Sequence, residues 1–495
     1  MGELNGISKS VAGRRRRAPV LATLALLAVT LAGCSTAFGP VPDQAALQTP
    51  AKPEMSAANQ REHQRILAAY GGAYPAPRLE PLLTQTVQKL VAASERPDLK
   101  YEITILNSPS VNAFALPTGQ LYITRGLLAL ANDTSELASV LSHEMAHVIA
   151  RHASIREDQA RQAALVNRVA TDLLSDPQLG ALALAKSKIT LASFSRAQEF
   201  EADGIGVGIS ARAGYDPYGA QRFLTSLGMN SQLRAQSANI DPRAPDFLSS
   251  HPATPERVSN AQSNARQFSS PPRTDGRDKA EYLALVDGLV FGEDPSEGFV
   301  RGRRFLHPKL GFTFTAPDGF SLENTAQAVF GVKDGGAQAL RLDVVSVPTE
   351  QALTEYLVSG WIENIDPNSV EALTVNGHPA ATATASGDQW TFRLYTVRFG
   401  SEVYRFIFAA KNRTEAVDRV FRDSIGSFRR MTLAEIRLAK PHRIKVVTVG
   451  PRDTVERLAR RMAVADRQVE RFRVLNGLAA NDKVRAGDAV KIVVE

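Results

Sequence analysis

The chain has 495 residues, of which 44% are hydrophobic, 22% are charged and one is a cysteine. This length allows two to four domains with buried cores, and the single cysteine excludes an intrachain disulfide framework. The formal net charge is +7, but residues 1–33 hold five basic side chains and one acidic side chain, so the remainder carries only +3, which does not indicate a nucleic-acid partner.

The N-terminus has the pattern of a bacterial lipoprotein signal peptide. Arg14 to Arg17 precede an uncharged run, residues 18–32, which is shorter than the roughly 20 residues of a membrane-spanning helix. The run leads into LAGC, residues 31–34, which resembles the bacterial lipobox, in which the cysteine is diacylated. We therefore expect residues 1–33 to be removed and Cys34 to carry lipid. The alternative is an uncleaved anchor with an incidental cysteine.

Residues 34–60 are rich in Pro, Ala, Gln and Ser. This composition predicts a flexible tether between the lipid on Cys34 and the folded protein. Ser35, in place of Asp, after the cysteine resembles lipoproteins that are sorted to the outer membrane. The predicted location is therefore the periplasm, with lipid anchoring to the outer rather than the inner membrane.

The stretch LSHEMAHVIARH, residues 141–152, has the spacing of a metallopeptidase helix. His143 and His147 lie on one face of a helix, where both imidazoles can bind one metal ion. Glu144 can act as general base on a water molecule without binding the metal. His152 points away from His147 on a continuous helix, so we expect it to cap or pack. An ordinary helix that carries histidines is the alternative.

A third ligand is predicted on a second helix, within SRAQEFEADGIG, residues 195–206. Glu199 would complete a His₂Glu site and leave the fourth position open, as a catalytic zinc requires. Asp203, one helical turn later, could orient a ligand histidine. The alternative is a solvated acidic face.

Together these motifs resemble the zinc metallopeptidases of the CAAX-prenyl-protease/HtpX family, including its periplasmic quality-control branch. Residues 107–128 and HPATPERV, residues 251–258, also match family elements, and the resemblance covers about residues 61–270. It implies one Zn²⁺ per chain, held by His143, His147 and Glu199, with Glu144 as general base and Asp203 as a supporting carboxylate. The founding members embed this domain among transmembrane helices, which this chain lacks after residue 33.

Two further parts of the active site are predicted. His251 could stabilise the oxyanion or occupy the open zinc position as a latch, and the alternative is a loop histidine. The strand that contains Asn112, Ala113 and Phe114 is predicted to bind substrate as an added β-strand, which would give sequence-tolerant binding.

The predicted fold is multidomain. A mainly α-helical, gluzincin-type metallopeptidase domain with a small hairpin covers residues 61–297, and an α+β domain of unknown role covers residues 298–432. Residues 443–495 have βααβ order and resemble a LysM module, which binds N-acetylglucosamine-containing glycans. Arg452 stands where that module usually has glycine.

The predicted function is a zinc-dependent endopeptidase of the bacterial cell envelope. Its expected substrates are unfolded or misassembled envelope proteins, and its expected contacts are the membrane through Cys34 and peptidoglycan through residues 443–495. Nucleic acid is not an expected partner. Two alternatives remain, a non-catalytic scaffold that binds peptidoglycan and a zinc amidase that acts on peptidoglycan stem peptides.

Overall fold

A computed structural model describes most of the chain downstream of the predicted tether. The described residues are 56–158, 194–235, 251–268, 277–333, 335–387, 389–464 and 466–495. The predicted signal peptide, Cys34 and most of the predicted tether therefore lie outside them. Within the described ranges, none of the helices combines the length and the apolar character that a membrane crossing needs.

The N-terminal part is mainly helical, as predicted, and surrounds a small sheet. Its elements are α1 (Ala57–Ala69), α2 (Glu80–Ala93), β1 (Glu102–Leu106), β2 (Ala113–Ala115), β3 (Gln120–Thr124), α3 (Arg125–Leu130), α4 (Thr134–Ile149), α5 (Arg196–Arg212), α6 (Gly219–Ala235), α7 (Pro255–Ala265) and α8 (Arg277–Val286). The predicted hairpin is β2 and β3, which pair antiparallel. Strand β1 joins β3 in parallel on the other side, a pairing that the local turn pattern does not reveal.

Helix α4 begins where two carboxylates meet its N-terminus. The Asp133 side chain accepts a hydrogen bond from the backbone N–H of Glu136 at 2.7 Å. Asp278 accepts from the N–H groups of Thr134 and Ser135 at 2.9 and 3.0 Å. Such groups satisfy backbone donors that a helix leaves unpaired and interact favourably with its dipole, each contributing about 1 kcal/mol. They fix the start of the helix that carries the HEMAH motif.

The middle of the chain is rich in strands. Its elements are β4 (Val290–Phe291), β5 (Phe299–Arg301), β6 (Arg304–His307), β7 (Phe312–Thr315), β8 (Phe320–Asn324), β9 (Val329–Lys333), β10 (Gln338–Val345), α9 (Leu353–Leu357), β11 (Glu371–Val375), β12 (His378–Ser386), β13 (Thr391–Phe399), β14 (Glu402–Ala410), α10 (Glu415–Gly426), β15 (Arg429–Arg430) and α11 (Leu433–Leu438). Seven strands form a sheet in the order β11-β12-β13-β14-β10-β9-β8, and four form a sheet in the order β15-β7-β6-β5. An aromatic core that includes Phe314, Phe406 and Phe428 packs between them and α10. This region is α+β, as the sequence pattern predicted.

The C-terminal segment consists of β16 (His442–Thr448), α12 (Val455–Ala459), α13 (Gln468–Leu475) and β17 (Ala489–Val494). This is the predicted βααβ order, with β16 and β17 antiparallel. Strand β4 adds to the other edge of β16, and side chains such as Ile444, Phe472 and Ile492 share one core cluster with the helical part. The segment is therefore packed into the N-terminal fold.

Lys491 on β17 shows how close this packing is. Its side chain is fully buried, and Nζ donates to the carbonyl oxygens of Ala129, Leu130 and Ala131 at 2.7, 3.2 and 2.7 Å. These carbonyls lie at the C-terminal end of α3, where a cation is favourable. Burial lowers the pKa of Lys491 to about 7, although the carboxylate of Glu136 opposes this shift. Removal of the C-terminal segment would leave this helix end, directly before α4, without its partner.

Candidate metal centre

Four buried side chains bring their ligand atoms together between α4, α5 and the segment before α7. His143, His147, Glu199 and His251 each place one ligand atom within 4.8 Å of the others, and each residue is at most 5% exposed. Nε2 of His143 and Nε2 of His147 are 3.0 Å apart. The carboxylate of Glu199 lies 3.6 Å from the first nitrogen and 3.5 Å from the second. Both predicted histidines and the predicted glutamate therefore meet at one point.

The donor set fits a zinc ion. Ligand atoms about 2.1 Å from a tetrahedral zinc are about 3.4 Å from one another, and the observed separations are close to that value. Burial lowers the pKa values of both His143 and His147, so both rings are neutral at pH 7, the form that binds a metal. Two imidazoles and one carboxylate are a ligand set of catalytic zinc sites.

Asp203 contacts His143, the ligand that it is predicted to orient, and is itself held by an arginine. Its Oδ1 lies 3.0 Å from Nδ1 of His143, and Arg257 donates to both carboxylate oxygens at 2.8 and 2.7 Å. Burial alone would raise the pKa of Asp203, but the hydrogen bonds from Arg257 and His143 outweigh it and lower the pKa to about 2. An ionised Asp203 favours the proton on Nδ1 of His143 and turns Nε2 toward the cluster.

His147 is held from behind by a second chain of contacts. Its Nδ1 lies 2.8 Å from Nδ1 of His152, whose Nε2 lies 3.2 Å from a carboxylate oxygen of Glu201. If Nε2 of His152 donates to Glu201, its Nδ1 accepts the proton of His147. That tautomer directs Nε2 of His147 toward the other ligands. His152 lies outside the donor cluster, as predicted, but the expectation that it points away from His147 is wrong. Helix α4 ends at Ile149 and the backbone of Arg151 is left-handed, with φ 57°, so His152 contacts His147 and can orient it.

A glycine allows the two ligand-bearing helices to approach this closely. Gly206 on α5 packs on the backbone of α4, where an added Cβ would lie 3.0 Å from the backbone nitrogen of His143. That separation is tighter than ordinary carbon contacts, so a larger residue would push the helices apart. Close packing at Gly206 helps to bring Glu199 and Asp203 to the histidines.

Glu144 is buried beside the ligands without joining them. The residue is 3% exposed, and Oε1 has no hydrogen-bond partner among the described residues. Burial raises the pKa of Glu144 well above its ordinary value, and the carboxylate of Glu199 adds to the effect. A carboxyl group with a raised pKa in this position is suited to accept a proton from water and to release it again.

His251 occupies the remaining side of the cluster. Its Nδ1 lies 3.2 Å from Nε2 of His143 and 3.0 Å from Oε1 of Glu199. Its Nε2 lies 3.7 Å from Oε1 of Glu144. His251 is 2% exposed, and burial lowers its pKa to about 3, so its ring is neutral and could bind a metal. The structure therefore places His251 within the donor cluster.

Of the predicted substrate-binding residues, Ala113 and Phe114 lie on β2, at an edge of the three-stranded sheet, and Asn112 directly precedes that strand. Asn112 and Ala113 are buried, and the Asn112 amide donates to Tyr70 at 2.9 Å. Phe114 packs on the rings of Tyr70 and Tyr122. These side chains are occupied by internal contacts. In the antiparallel pairing of β2 with β3, alternate residues direct their backbone groups outward, so the backbone of β2 is what remains to contact a substrate.

Arg257, His152 and Glu201 are the supporting residues for which the sequence predicted no role at the site. Arg257 belongs to the HPATPERV stretch, residues 251–258. Besides its contact with Asp203, its Nη1 lies 2.6 Å from the carboxylate of Glu199. A signal for Arg257 was that Glu199 and Asp203 were both predicted to lie at one metal site, because two carboxylates that become buried together need a cation. The sequence could not identify this cation as Arg257, because the contact depends on how the helices pack.

Comparisons with known proteins agree with this geometry. Residues 77–265 match the family model described as Peptidase family M48. The β-barrel assembly-enhancing protease of Yersinia pestis is 32% identical over 230 residues, which cover 44% of this chain and 46% of that protein. Its counterpart in Escherichia coli K12 is 33% identical over 202 residues, covering 38% and 40%. The mitochondrial metalloendopeptidase OMA1 of Schizosaccharomyces pombe is 29% identical over 203 residues, covering 40% and 57%.

The chain spans about half the length of these curated relatives. The matched segment contains α4, α5 and α7, and hence all four residues of the donor cluster. Residues 77–265 are therefore similar to the metallopeptidases of family M48, and the donor cluster within them fits one zinc ion.

Proposed function

We propose that this chain is a zinc-dependent endopeptidase of the bacterial cell envelope that degrades misfolded or misassembled proteins. The proposal starts from the similarity of residues 77–265 to Peptidase family M48. The observation that carries the proposal is the buried convergence of His143, His147 and Glu199 beside Glu144. The names of the bacterial relatives, β-barrel assembly-enhancing proteases, support an envelope role, as do the predicted signal peptide and lipobox.

The proposed peptide hydrolysis would use two groups, a zinc ion and the carboxylate of Glu144. A zinc ion held by His143, His147 and Glu199 would supply Lewis acidity for activating water and polarising a carbonyl. Glu144 would take the proton from the attacking water and pass it to the leaving amine. Its raised pKa suits both steps, because the group must be protonated and deprotonated within one turnover. Asp203 would hold the ring of His143 and does not exchange protons with substrate.

Substrate would bind as an additional strand along β2. Backbone pairing does not depend on the substrate's side chains, so this mode suits unfolded proteins of many sequences. The buried positions of Asn112 and Ala113 narrow the proposal to backbone contacts. Cleavage by this route requires an extended segment, which folded proteins do not offer.

His251 is the latch in this proposal. Its Nδ1 lies 3.2 Å from Nε2 of His143 and 3.0 Å from Oε1 of Glu199, so His251 would take the fourth zinc position, which the attacking water needs. The enzyme would therefore be held inactive until the ring moves, and only the open fraction would be competent.

We expect His251→Ala to raise basal kcat/KM on a short fluorogenic peptide about threefold or more, with zinc content unchanged. His378→Ala, in the α+β region, is the matched control and should leave activity unchanged. A fall in kcat would assign His251 to catalysis instead, and an unchanged rate would make it a loop residue.

Attachment at both ends of the chain completes the proposal. Lipid on Cys34 would hold the protein in a membrane, with the outer membrane favoured, and residues 443–495 would contact peptidoglycan. The loops around Arg452 and Arg485 are exposed and lie side by side, because Gly487 donates to Val449. The end of the segment that carries these two loops is therefore accessible to a partner, whereas Lys491, within β17, is buried.

Purified protein incubated separately with casein and with peptidoglycan sacculi distinguishes the three functions. A protein endopeptidase cleaves casein and releases no soluble fragments from sacculi. An amidase releases stem peptides, and a scaffold sediments with sacculi without cleaving either. The proposal predicts casein cleavage together with co-sedimentation, and release of stem peptides without casein cleavage would overturn it.

A further inference from the structure

One aromatic side chain, Phe194, packs on the metal centre just before α5. Its ring is nearly parallel to that of the ligand His147, with the ring centroids 4.0 Å apart and an angle of 25° between the planes. The same ring lies 5.3 Å from the ring of His251 and 6.1 Å from that of His152. Phe194 therefore contacts a proposed ligand, the proposed latch and the histidine that holds the ligand from behind.

A cation also packs on the ring of Phe194. The guanidinium carbon of Arg156 lies 4.4 Å from the ring centroid, a separation at which a cation is attracted to the face of an aromatic ring. Residues 152–158 are helical, so His152 and Arg156 are four apart and lie on one face of that segment. Phe194 is partly exposed, whereas the three imidazoles are buried. Phe194 is therefore the aromatic member of this group that lies nearest to solvent.

His251 depends on contacts of this kind for its position. It lies in the irregular segment before α7, so no helix or strand of its own fixes its ring in the donor cluster. To leave the cluster, the ring must give up its contact with Phe194 as well as its polar contacts with His143 and Glu199. Aromatic pairs at such separations stabilise a packing arrangement beyond the area that they bury.

We propose that Phe194 is a positioning residue that holds the ring of His251 in the closed position of the latch. Without the phenyl ring, His251 would leave the cluster more often and a larger fraction of the protein would be open. Turnover and the binding of a metal-directed ligand would then increase by a similar factor. The inference rests on the latch in the proposed function, and ligand binding measures it without catalysis.

The test compares the full zinc-loaded protein with Phe194→Ala, His251→Ala and the double variant. Two quantities are measured on each protein, kcat/KM on a short fluorogenic peptide and the Kd of a peptide hydroxamate, which binds at the metal position that His251 would occupy. Phe194→Tyr keeps the aromatic ring and is the conservative variant. Phe268→Ala is the matched control, because Phe268 is exposed and packs beside Gly208, nine residues along α5 from Glu199.

We expect Phe194→Ala to raise kcat/KM and to lower the hydroxamate Kd by about twofold or more, the contribution of one aromatic contact. The effect should be no larger than that of His251→Ala, and zinc content should not change. In the His251→Ala background, Phe194→Ala should alter neither quantity, because the latch is already absent. Phe194→Tyr and Phe268→Ala should leave both quantities as they are in the parent.

A role for Phe194 in packing alone predicts a lower Tm and an unchanged hydroxamate Kd in Phe194→Ala, and that result would overturn the proposal. A fall in kcat/KM would also overturn it. So would a gain that persists undiminished in the His251→Ala background, because the ring would then act on His147 or on the substrate. If Phe194→Ala fails to fold, Phe194→Leu takes its place in the same comparison.

Failure of the proposed function would look different. If the chain is not a peptidase, none of the variants cuts the peptide, while the hydroxamate Kd values still differ in the expected order. If His251 is not a latch, His251→Ala leaves both quantities unchanged and the inference falls with it. If only the role of Phe194 is wrong, His251→Ala activates the protein and Phe194→Ala does not.

Discussion

Glu144→Gln is expected to abolish peptide cleavage while one zinc ion per chain stays bound. The amide has the size and shape of the carboxyl group but cannot accept a proton from water, and the loss of a general base costs about 10²- to 10⁴-fold in rate. The metal ligands are untouched. Because burial and Glu199 already disfavour the charged form of Glu144, a neutral amide at this position loses no favourable charge interaction, so the Tm should not fall.

The measurement combines kcat on a fluorogenic peptide with zinc content by mass spectrometry and Tm. Glu256→Gln is the control, because Glu256 is an exposed carboxyl group directly before Arg257, and it should leave all three values unchanged. Activity within tenfold of the parent would show that Glu144 is not the base. Loss of zinc would show that it is a ligand.

Glu199→Ala is expected to lose both zinc and activity. The substitution removes one of three proposed ligands and leaves Arg257 with only Asp203 as its ion-pair partner. Asp203→Asn provides a graded comparison, because it keeps every ligand and weakens only the support of His143. A partner of this kind typically contributes 10- to 100-fold in metal affinity, so this variant should bind zinc more weakly and still show activity at saturating zinc.

Full zinc occupancy in Glu199→Ala would contradict the ligand assignment and point to His251 as the third ligand. His251 is the alternative that the geometry offers, since its Nδ1 lies 3.2 Å from Nε2 of His143. The double variant, with both Glu199 and His251 replaced by Ala, separates the two assignments. If His251 had taken over, zinc would be lost only in the double variant.

Much of the metal centre follows from local spacing. Residues four apart share a helix face, so His143 and His147 were predicted as one pair and Glu199 and Asp203 as another. The structure brings these pairs together. What the spacing could not provide was the set of contacts between helices, such as Arg257 with Asp203 and His152 with Glu201, because these depend on how α4, α5 and α7 pack.

The strand order of the small sheet and the packing of the C-terminal segment also depend on contacts between distant parts of the chain, which the spacing within one element does not reveal. The βααβ pattern of residues 443–495 was visible as alternating strand and helix periodicity. The same pattern does not show that Lys491 lies buried against the end of α3. Sequence patterns favour an exposed lysine, and only the acceptor carbonyls of another element make its burial tolerable.

The most direct test of the account is zinc content and casein cleavage measured on one purified sample, before and after chelation. The account predicts about one zinc ion per chain, cleavage that disappears when the metal is removed, and recovery when zinc is added back. Cleavage that persists in metal-free protein would contradict it. So would a protein with one bound zinc and no proteolysis of casein, even after His251→Ala.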